Sequence, residues 1–310
     1  MIYTSVSVGR PDGIDDMRTR TPVVLVTGCS SGLGRATVQA MVERGWTVFA
    51  SMRDTAGRNA VAARELDEWG RTRAGRLEVL ELDVTLDRSI AGAVSRAIEC
   101  SGRIDVVVNN AGVGAHGIIE AFTVEQAQAL FDVNVFGALR VNRAVLPHMR
   151  RQRSGLLVHV SSTLGRFVMP FSGLYSATKF ALEALAEGYR LDLMTSNIDS
   201  VIVEPGACRT RYYERLLRPG DDELNAQYGR MAELADQTAD GFAKWIENQS
   251  TAEAEEVASA IVDLVERRDQ PRATRTAVGR GAAGVSTLNE ITAKFQAKMI
   301  DVLGLSSSIR

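Results

Sequence analysis

Six short apolar runs, each closed by turn residues and separated by longer stretches of helical spacing, govern how this chain can fold. They are "VVLVTG" (23–28), "TVFASM" (47–52), "LEVLELD" (77–83), "IDVVVNN" (104–110), "GLLVHVS" (155–161) and "DSVIVEP" (199–205). Val, Leu and Ile occupy both alternating positions, as in strands covered by helices on two faces. Helical spacing over 33–44, 57–69, 86–101, 123–150, 173–195 and 253–267 completes a βα rhythm, which predicts a parallel sheet. The last of these helices follows Thr251 and carries Glu253 to Glu256 in its first turn, where carboxylates offset exposed N–H groups.

Two segments break the rhythm. Residues 207–250 contain no clear strand but carry Tyr212, Tyr213, Tyr228, Met231, Phe242 and Trp245, and so read as a functional lid rather than a structureless loop. Residues 285–303 place Val285, Leu288, Ile291, Phe295, Met299 and Val302 at intervals of three and four, which predicts an amphipathic helix packing on the same domain. Residues 1–21 read as a flexible tail and 22–310 as a single domain.

Charge and composition narrow the function. The 310 residues carry 36 basic and 38 acidic side chains, a net charge of −2, so nothing points to nucleic acid or an anionic membrane. Cys29, Cys100 and Cys208 form no CxxC pair and His116, His148 and His159 are dispersed, so neither disulfides nor a metal are expected. No run approaches the roughly 20 apolar residues of a membrane span, and a cytoplasmic location is expected.

The first strand leads into "TGCSSGLG", Thr27 to Gly34, and then a helix. A strand, a glycine-rich turn and a helix N-terminus make an anion site in which free N–H groups of Gly28, Ser30, Ser31, Gly32, Leu33 and Gly34 can surround a diphosphate. After the second strand Arg53 stands where the adenosine ribose should pass. An arginine there can hold a 2′-phosphate, so NADP(H) is expected ahead of NAD(H), with adjacent Asp54 the counter-argument. Asp83, beside Val84, can accept from an adenine amino group, or simply cap the next helix. In "VHVSSTLGRFVMPFSGLYSATKFAL", Ser162 follows the fifth strand, and Lys179 lies four residues beyond Tyr175 on one helical face. A free phenol ionises near pH 10, and a neighbouring ammonium favours the phenolate. Taken alone, such a pair is more often an ordinary helix-surface pair.

With these residues in view the chain resembles the short-chain dehydrogenases/reductases, over about residues 22–280. The resemblance rests on "TGCSSGLG", "NNAG" (109–112), "NVFG" (134–137), a serine thirteen positions before "YSATK", and "PGACRT" (205–210). The wording of 170–192 is nearest the branch with hydroxysteroid and retinol dehydrogenases. The resemblance implies a three-layer Rossmann fold, a doubly wound parallel sheet in the α/β class, and a catalytic set of Asn134, Ser162, Tyr175 and Lys179. Tyr175 would exchange the proton, Ser162 would hold the carbonyl oxygen, Lys179 would bind the nicotinamide ribose and assist the phenol, and Asn134 would anchor a water leading to Lys179. Asn110, Ala111 and Gly112 would wall the adenosine site. Pro205, Gly206, Cys208 and Thr210 would meet the carboxamide and diphosphate; at Cys208 the family usually has a β-branched residue. A homodimer or homotetramer through the helices holding Asn134 and Tyr175 is also implied.

Phe167, Met169, Phe171 and Leu174 before the tyrosine predict a bulky hydrophobic carbonyl or alcohol substrate, steroid-, retinoid- or polyketide-like. Arg209, Arg211, Arg215 and Arg218 could instead meet an acidic group. Two other readings are a silent cofactor-binding redox sensor, which would generally lack the tyrosine or lysine, and an epimerase or dehydratase of the same superfamily, which is usually longer.

Overall fold

The computed structural model describes residues 20–210, 213–248, 253–267, 271–279 and 281–305. The expected tail therefore lies outside the described residues except for Arg20 and Thr21, as do Arg211, Tyr212 and Thr251 and the side chains of Tyr213, Phe242 and Trp245.

All six apolar runs form strands: β1 Val23–Thr27, β2 Thr47–Met52, β3 Arg76–Glu81, β4 Val106–Asn109, β5 Gly155–Val160 and β6 Ile198–Pro205. A seventh, β7 Arg275–Val278, adds an edge that the sequence reading lacks. The sheet is parallel throughout in the order β3-β2-β1-β4-β5-β6-β7. Because β2 and β4 lie on opposite sides of β1, the order reverses there, and the crevice above their carboxyl ends is where ligands bind in such sheets.

Helices α1 Gly32–Glu43, α2 Ala60–Gly70, α3 Asp87–Ser101, α4 Val124–Phe131, α5 Gly137–Gln152, α6 Gly173–Asp192, α7 Asp222–Gln227, α8 Arg230–Asn248, α9 Ala254–Glu266 and α10 Ala282–Val302 complete the described chain. One face of the sheet carries α1, α2 and α9, where Ala36 meets Ala254 and Ala258 and the small side chains let α1 and α9 approach closely. The other carries α3, α5 and the C-terminal end of α6, burying Ile90, Val94, Val141, Val145 and Leu193. Each such aliphatic side chain contributes roughly 1.5–3 kcal/mol by leaving water.

Three expectations need correction. The single helix expected over 123–150 is two: a π-helical turn, Asp132–Phe136, separates α4 from α5. α4 itself starts at a reciprocal cap, Thr123 accepting from the Gln126 N–H while the Gln126 side chain accepts from the Thr123 N–H. In α9, Glu253 stands at the N-cap without a side-chain capping bond, and the acidic residues of the first turn are Glu255 and Glu256. The C-terminal helix exists but does not pack its apolar face on the domain: Val285 alone of that face is buried, while Leu288, Ile291, Phe295, Met299 and Val302 are 41–69% exposed. α10 is held instead by hydrogen bonds, from Asn289 Nδ2 to Glu204 Oε2 (2.5 Å), from Arg166 Nη2 to Thr292 Oγ1 (2.9 Å) and from Gln296 Nε2 to Glu187 Oε1 (3.5 Å).

β5 carries a histidine with unusual consequences. His159 is fully buried, stacked on Tyr189 at 6.4 Å, and neither ring nitrogen has a hydrogen-bond partner among the described residues. Burial keeps the imidazole neutral, pushing its pKa down to about 3, whereas in the unfolded chain it titrates near 6.5. As pH falls the unfolded state takes up the proton first, so this residue removes about 2 kcal/mol of stability between pH 7 and pH 5. Glu183 and Glu204 act the other way: burial raises both pKa values, Glu204 to about 7, and they favour the folded state as pH drops from there. The difference between wild type and His159→Phe isolates the histidine. Urea unfolding should show the variant gaining about 2 kcal/mol on wild type from pH 7 to pH 5; a pH-independent difference contradicts the assignment.

Candidate active site

A continuous cleft of about 1490 Å³ opens above the carboxyl ends of the strands. It is larger than the roughly 300–1,000 Å³ of an ordinary small-ligand pocket. Its floor is set where β1 meets β4. Thr27 Oγ1 donates to the Val108 carbonyl (3.3 Å) and accepts from the N–H groups of Asn110 and Ala111, both at 3.0 Å. Asn110 Nδ2 returns hydrogen bonds to the carbonyls of Thr27 (2.8 Å) and Gly28 (3.1 Å).

This closeness explains two glycines. Gly28 has φ +74° and a Cβ there would stand 2.8 Å from the Ala111 Cα; a Cβ at Gly34 would strike the Asn110 amide and come 2.5 Å from the Gly28 carbonyl oxygen. Ser31 precedes α1 without a side-chain capping bond, so Ser31 leaves the first-turn N–H groups of α1 to other acceptors.

Every cofactor residue expected from the sequence borders this cleft: Gly28, Ser30 to Gly34, Arg53, Asp83, Val84, Asn110 to Gly112, Pro205, Gly206, Cys208 and Thr210. Asp83 does not cap the next helix, whose N-cap is Leu86; its Oδ1 accepts from the Thr85 N–H (2.9 Å) and hydroxyl (2.7 Å) within the loop. Burial tends to raise its pKa, but these bonds and the charges of Arg53 and Arg58 leave it below the usual value. Asp54 does not border the cleft; its carboxylate accepts the Arg58 N–H at 2.9 Å. Cys208 is buried, and burial pushes its thiol up to about 11.

Ser162, Tyr175 and Lys179 border the same cleft. Ser162 Oγ accepts from the Leu164 N–H (3.2 Å) and donates to the Pro205 carbonyl (3.4 Å), tying the end of β5 to the end of β6. Tyr175 and Lys179 are buried, Lys179 to 4% exposure. Lys179 Nζ donates to the Val160 carbonyl at 3.0 Å and stands 5.7 Å from the centre of the Tyr175 ring.

Asn134 is set apart from the others. It does not border the cleft and is 2% exposed, within the π-helical turn. Its Oδ1 accepts from the Val113 N–H (2.8 Å), and its Nδ2 donates to the Val113 carbonyl (2.8 Å) and Thr178 Oγ1 (3.0 Å). Thr178 in turn donates to the Tyr175 carbonyl at 2.7 Å.

Beyond the expected set, the cleft gains Arg58, His116, Gln237 and Thr238. His116 Nε2 lies 3.0 Å from the Ala235 carbonyl, joining the loop after β4 to α8. Only a dispersed histidine was visible in the sequence, and nothing there paired it with residues more than a hundred positions away. Phe167, Met169 and Phe171 border the cleft as expected, but Leu174 does not; it packs with Ala115, Phe122 and Tyr175. Arg215 borders the cleft, whereas Arg209 pairs with Glu253 (3.6 Å) and Arg218 with Asp236 (3.7 Å). Among the described residues there is no cluster able to hold a metal ion, and no helix is long and apolar enough to cross a membrane.

The short chain dehydrogenase family model matches residues 22–219. A 3-ketodihydrosphingosine reductase of Bacteroides thetaiotaomicron is 30% identical over 262 residues, covering 83% of this chain and 87% of its own. Human retinol dehydrogenase 8 is 37% identical over 217 residues, 67% of this chain and 68% of its own. Among solved structures, a short-chain dehydrogenase from Streptomyces avermitilis superposes with a TM-score of 0.71 at 31% identity, covering 92% of this chain and 98% of that one. With its parallel sheet, its glycine loop and its Tyr175–Lys179 pair in one cleft, the chain belongs to the short-chain dehydrogenase/reductase family of oxidoreductases.

Proposed function

We propose that this protein is an NADP(H)-dependent oxidoreductase that interconverts a carbonyl and a secondary alcohol on a bulky hydrophobic substrate. The observation that carries the proposal is that Ser162, Tyr175 and Lys179 share one cleft with a glycine loop built for close approach of a diphosphate. The presence of both Tyr175 and Lys179 argues against a silent sensor.

The cleft suits a dinucleotide: the collisions that a Cβ at Gly28 or Gly34 would make keep the backbone bare, and the start of α1 offers N–H groups to an anion. A nicotinamide held there supplies or takes up the hydride. The chain does the rest. Ser162 Oγ orients the substrate oxygen, and Tyr175 Oη gives that oxygen its proton in reduction and removes it in oxidation. Lys179, fixed by the Val160 carbonyl, places positive charge beside the phenol as that oxygen becomes anionic, and it can reach a ribose hydroxyl. Asn134 works from behind, holding Val113 and Thr178, and through them the loop and helix on either side of Lys179; a water at its turn would relay protons.

Arg53 and Arg58 at the cleft rim, with Asp54 engaged elsewhere, support a 2′-phosphate over a bare ribose. Phe167, Met169 and Phe171 support an apolar substrate. The names of two relatives point the same way, since retinol and a ketodihydrosphingosine are large apolar molecules bearing a hydroxyl or ketone.

Two measurements follow. NADPH consumption with a panel of hydrophobic ketones and aldehydes should be visible for wild type and reduced about a thousandfold or more in Tyr175→Phe, with NADPH affinity little changed; a variant that keeps the full rate removes Tyr175 as the acid. Arg53→Ala should raise KM for NADPH about tenfold or more while moving KM for NADH little, and equal effects on both would exclude the 2′-phosphate assignment.

A further inference from the structure

His116 stands where four segments of the chain meet beside the catalytic pair. The loop 114–117 pairs with the segment before α7, the Leu217 N–H donating to the Gly114 carbonyl (2.8 Å) and the His116 N–H to the Leu217 carbonyl (3.0 Å). Phe171, just before α6, accepts from the Gly117 N–H at 2.8 Å and holds φ at +61°, a conformation that a phenylalanine keeps only where its surroundings fix it. Its ring lies 5.8 Å from the imidazole, tilted by 57°. The residue before His116, Ala115, packs in the same apolar cluster as Tyr175, which puts the imidazole near the end of the cleft that holds the phenol.

The fourth segment, α8, fixes the chemistry of the ring. Nε2 lies 3.0 Å from the Ala235 carbonyl and 3.3 Å from Thr238 Oγ1; a carbonyl only accepts, so Nε2 carries the proton. Burial holds the pKa below the ordinary histidine value, against the Ala235 carbonyl, which favours the cation; of the nearby charges, Arg218 opposes the cation and Asp236 favours it. The imidazole is therefore neutral at neutral pH, and Nδ1 keeps a lone pair. Among the described residues no hydrogen bond reaches Nδ1, and unlike the enclosed nitrogens of His159 it is open to solvent.

We infer that His116 selects the substrate: its Nδ1 accepts a hydrogen bond from a second hydroxyl, so the preferred ligand is an apolar ketone that also bears a hydroxyl group, or the matching diol in oxidation. The inference rests on the carbonyl–alcohol reading above and narrows its substrate class. Phe167, Met169 and Phe171 take the hydrocarbon, and a ligand without the hydroxyl would leave Nδ1 shielded from water with no donor, the condition under which a site discriminates strongly. An acidic substituent fits this position less well, because a neutral imidazole whose one N–H is already bonded has no donor for a carboxylate. Arg215, exposed at the same cleft, is the group that such a substituent would seek.

Steady-state kinetics with NADPH test this on cyclododecanone, its ring-hydroxylated isomers and its ring-carboxylated isomers, with circular dichroism to confirm that each variant is folded. In wild type at least one hydroxylated isomer should exceed the parent ketone in kcat/KM by about tenfold or more. His116→Phe keeps a ring against Phe171 but offers no acceptor, and should bring that ratio to within about threefold of one. His116→Asn places Oδ1 near the position of Nδ1 and should hold the ratio at least about threefold above that of His116→Phe. Both variants lose the bond to Ala235, so a residue that only fastened α8 would lower all the ketones together and leave the ratio unchanged. An unchanged ratio, no preference in wild type, a carboxylated isomer favoured over every hydroxylated one, or an asparagine variant no better than the phenylalanine one overturns the inference. If no ketone is reduced, the carbonyl–alcohol reading fails by itself, and calorimetric titration of the same ketones into protein saturated with NADPH decides the present one: hydroxyl-dependent binding that His116→Phe abolishes supports it, and equal or absent binding overturns it.

Discussion

The ends of β1 and β4 are held together by side chains, beyond the reach of the sheet's own hydrogen-bond ladder, and the active-site geometry follows from that clamp. Thr27 satisfies two backbone N–H groups of the next loop, and Asn110 reaches back to two carbonyls of the first. Leaving any one such buried group without a partner costs about 1–3 kcal/mol, so the loop has little freedom to sit elsewhere. From Asn110 the chain runs through Gly112 to Val113, where Asn134 takes both backbone groups. Asn134 also holds Thr178, which bonds the carbonyl of Tyr175. One path of hydrogen bonds thus connects the glycine loop to the helix carrying the phenol.

The opposite edge of the sheet is organised by buried charge. Arg275 of β7 donates to Glu183 Oε2 and Glu187 Oε1 of α6, each at 2.7 Å, and lies 3.5 Å from Glu204 Oε1 of β6. Isolated, these groups would carry a large desolvation penalty; together they offset part of it, with Glu183 Oε1 and Glu204 Oε1 left without a hydrogen-bond donor among the described residues while their other oxygens are bonded. Asn289 of α10 supplies one of those partners, which is why a helix with a single buried apolar residue stays docked. Glu204 directly precedes Pro205, so this cluster also braces the strand end that enters the cleft.

The legibility of the chain follows from the same physics. The six apolar runs could be read because strands buried on both faces must be continuously hydrophobic, and their observed bounds differ from expectation by only one or two residues. β7 could not: "RTAV" is short and half-buried, and its inward arginine makes sense only beside carboxylates from α6 and β6. The glycine loop was legible because its turn follows a strand and opens a helix, whereas the Tyr175–Lys179 pair, by spacing alone an ordinary helix-surface pair, stood out only through the resemblance of the surrounding motifs to the family. The carbonyl of Val160, the hydroxyl of Thr178 as acceptor for Asn134, and the imidazole of His116 were not legible, because a backbone acceptor leaves no mark on a sequence and the other two act across distances along the chain that no local pattern encodes. α10 was legible as a helix, but its apolar periodicity says only that one face avoids water, not which surface covers it.

Lys179 shows how the site sets function against stability. An ammonium 4% exposed pays a substantial desolvation cost, and the Val160 carbonyl and the Tyr175 ring return only part of it. A surface lysine would cost nothing, yet bulk water would screen its charge from the phenol. Holding it at the wall of the cleft keeps that charge effective and leaves donors for a ligand's hydroxyls, so binding adds stability to the folded state. The same reasoning accounts for the buried Asn134: its amide lends no charge, but its hydrogen bonds to Val113 and Thr178 hold the loop after β4 against the helix that carries Tyr175 and Lys179. The proton transfer proposed for Tyr175 depends on that register, and here rigidity comes from a polar lattice rather than from close-packed hydrocarbon.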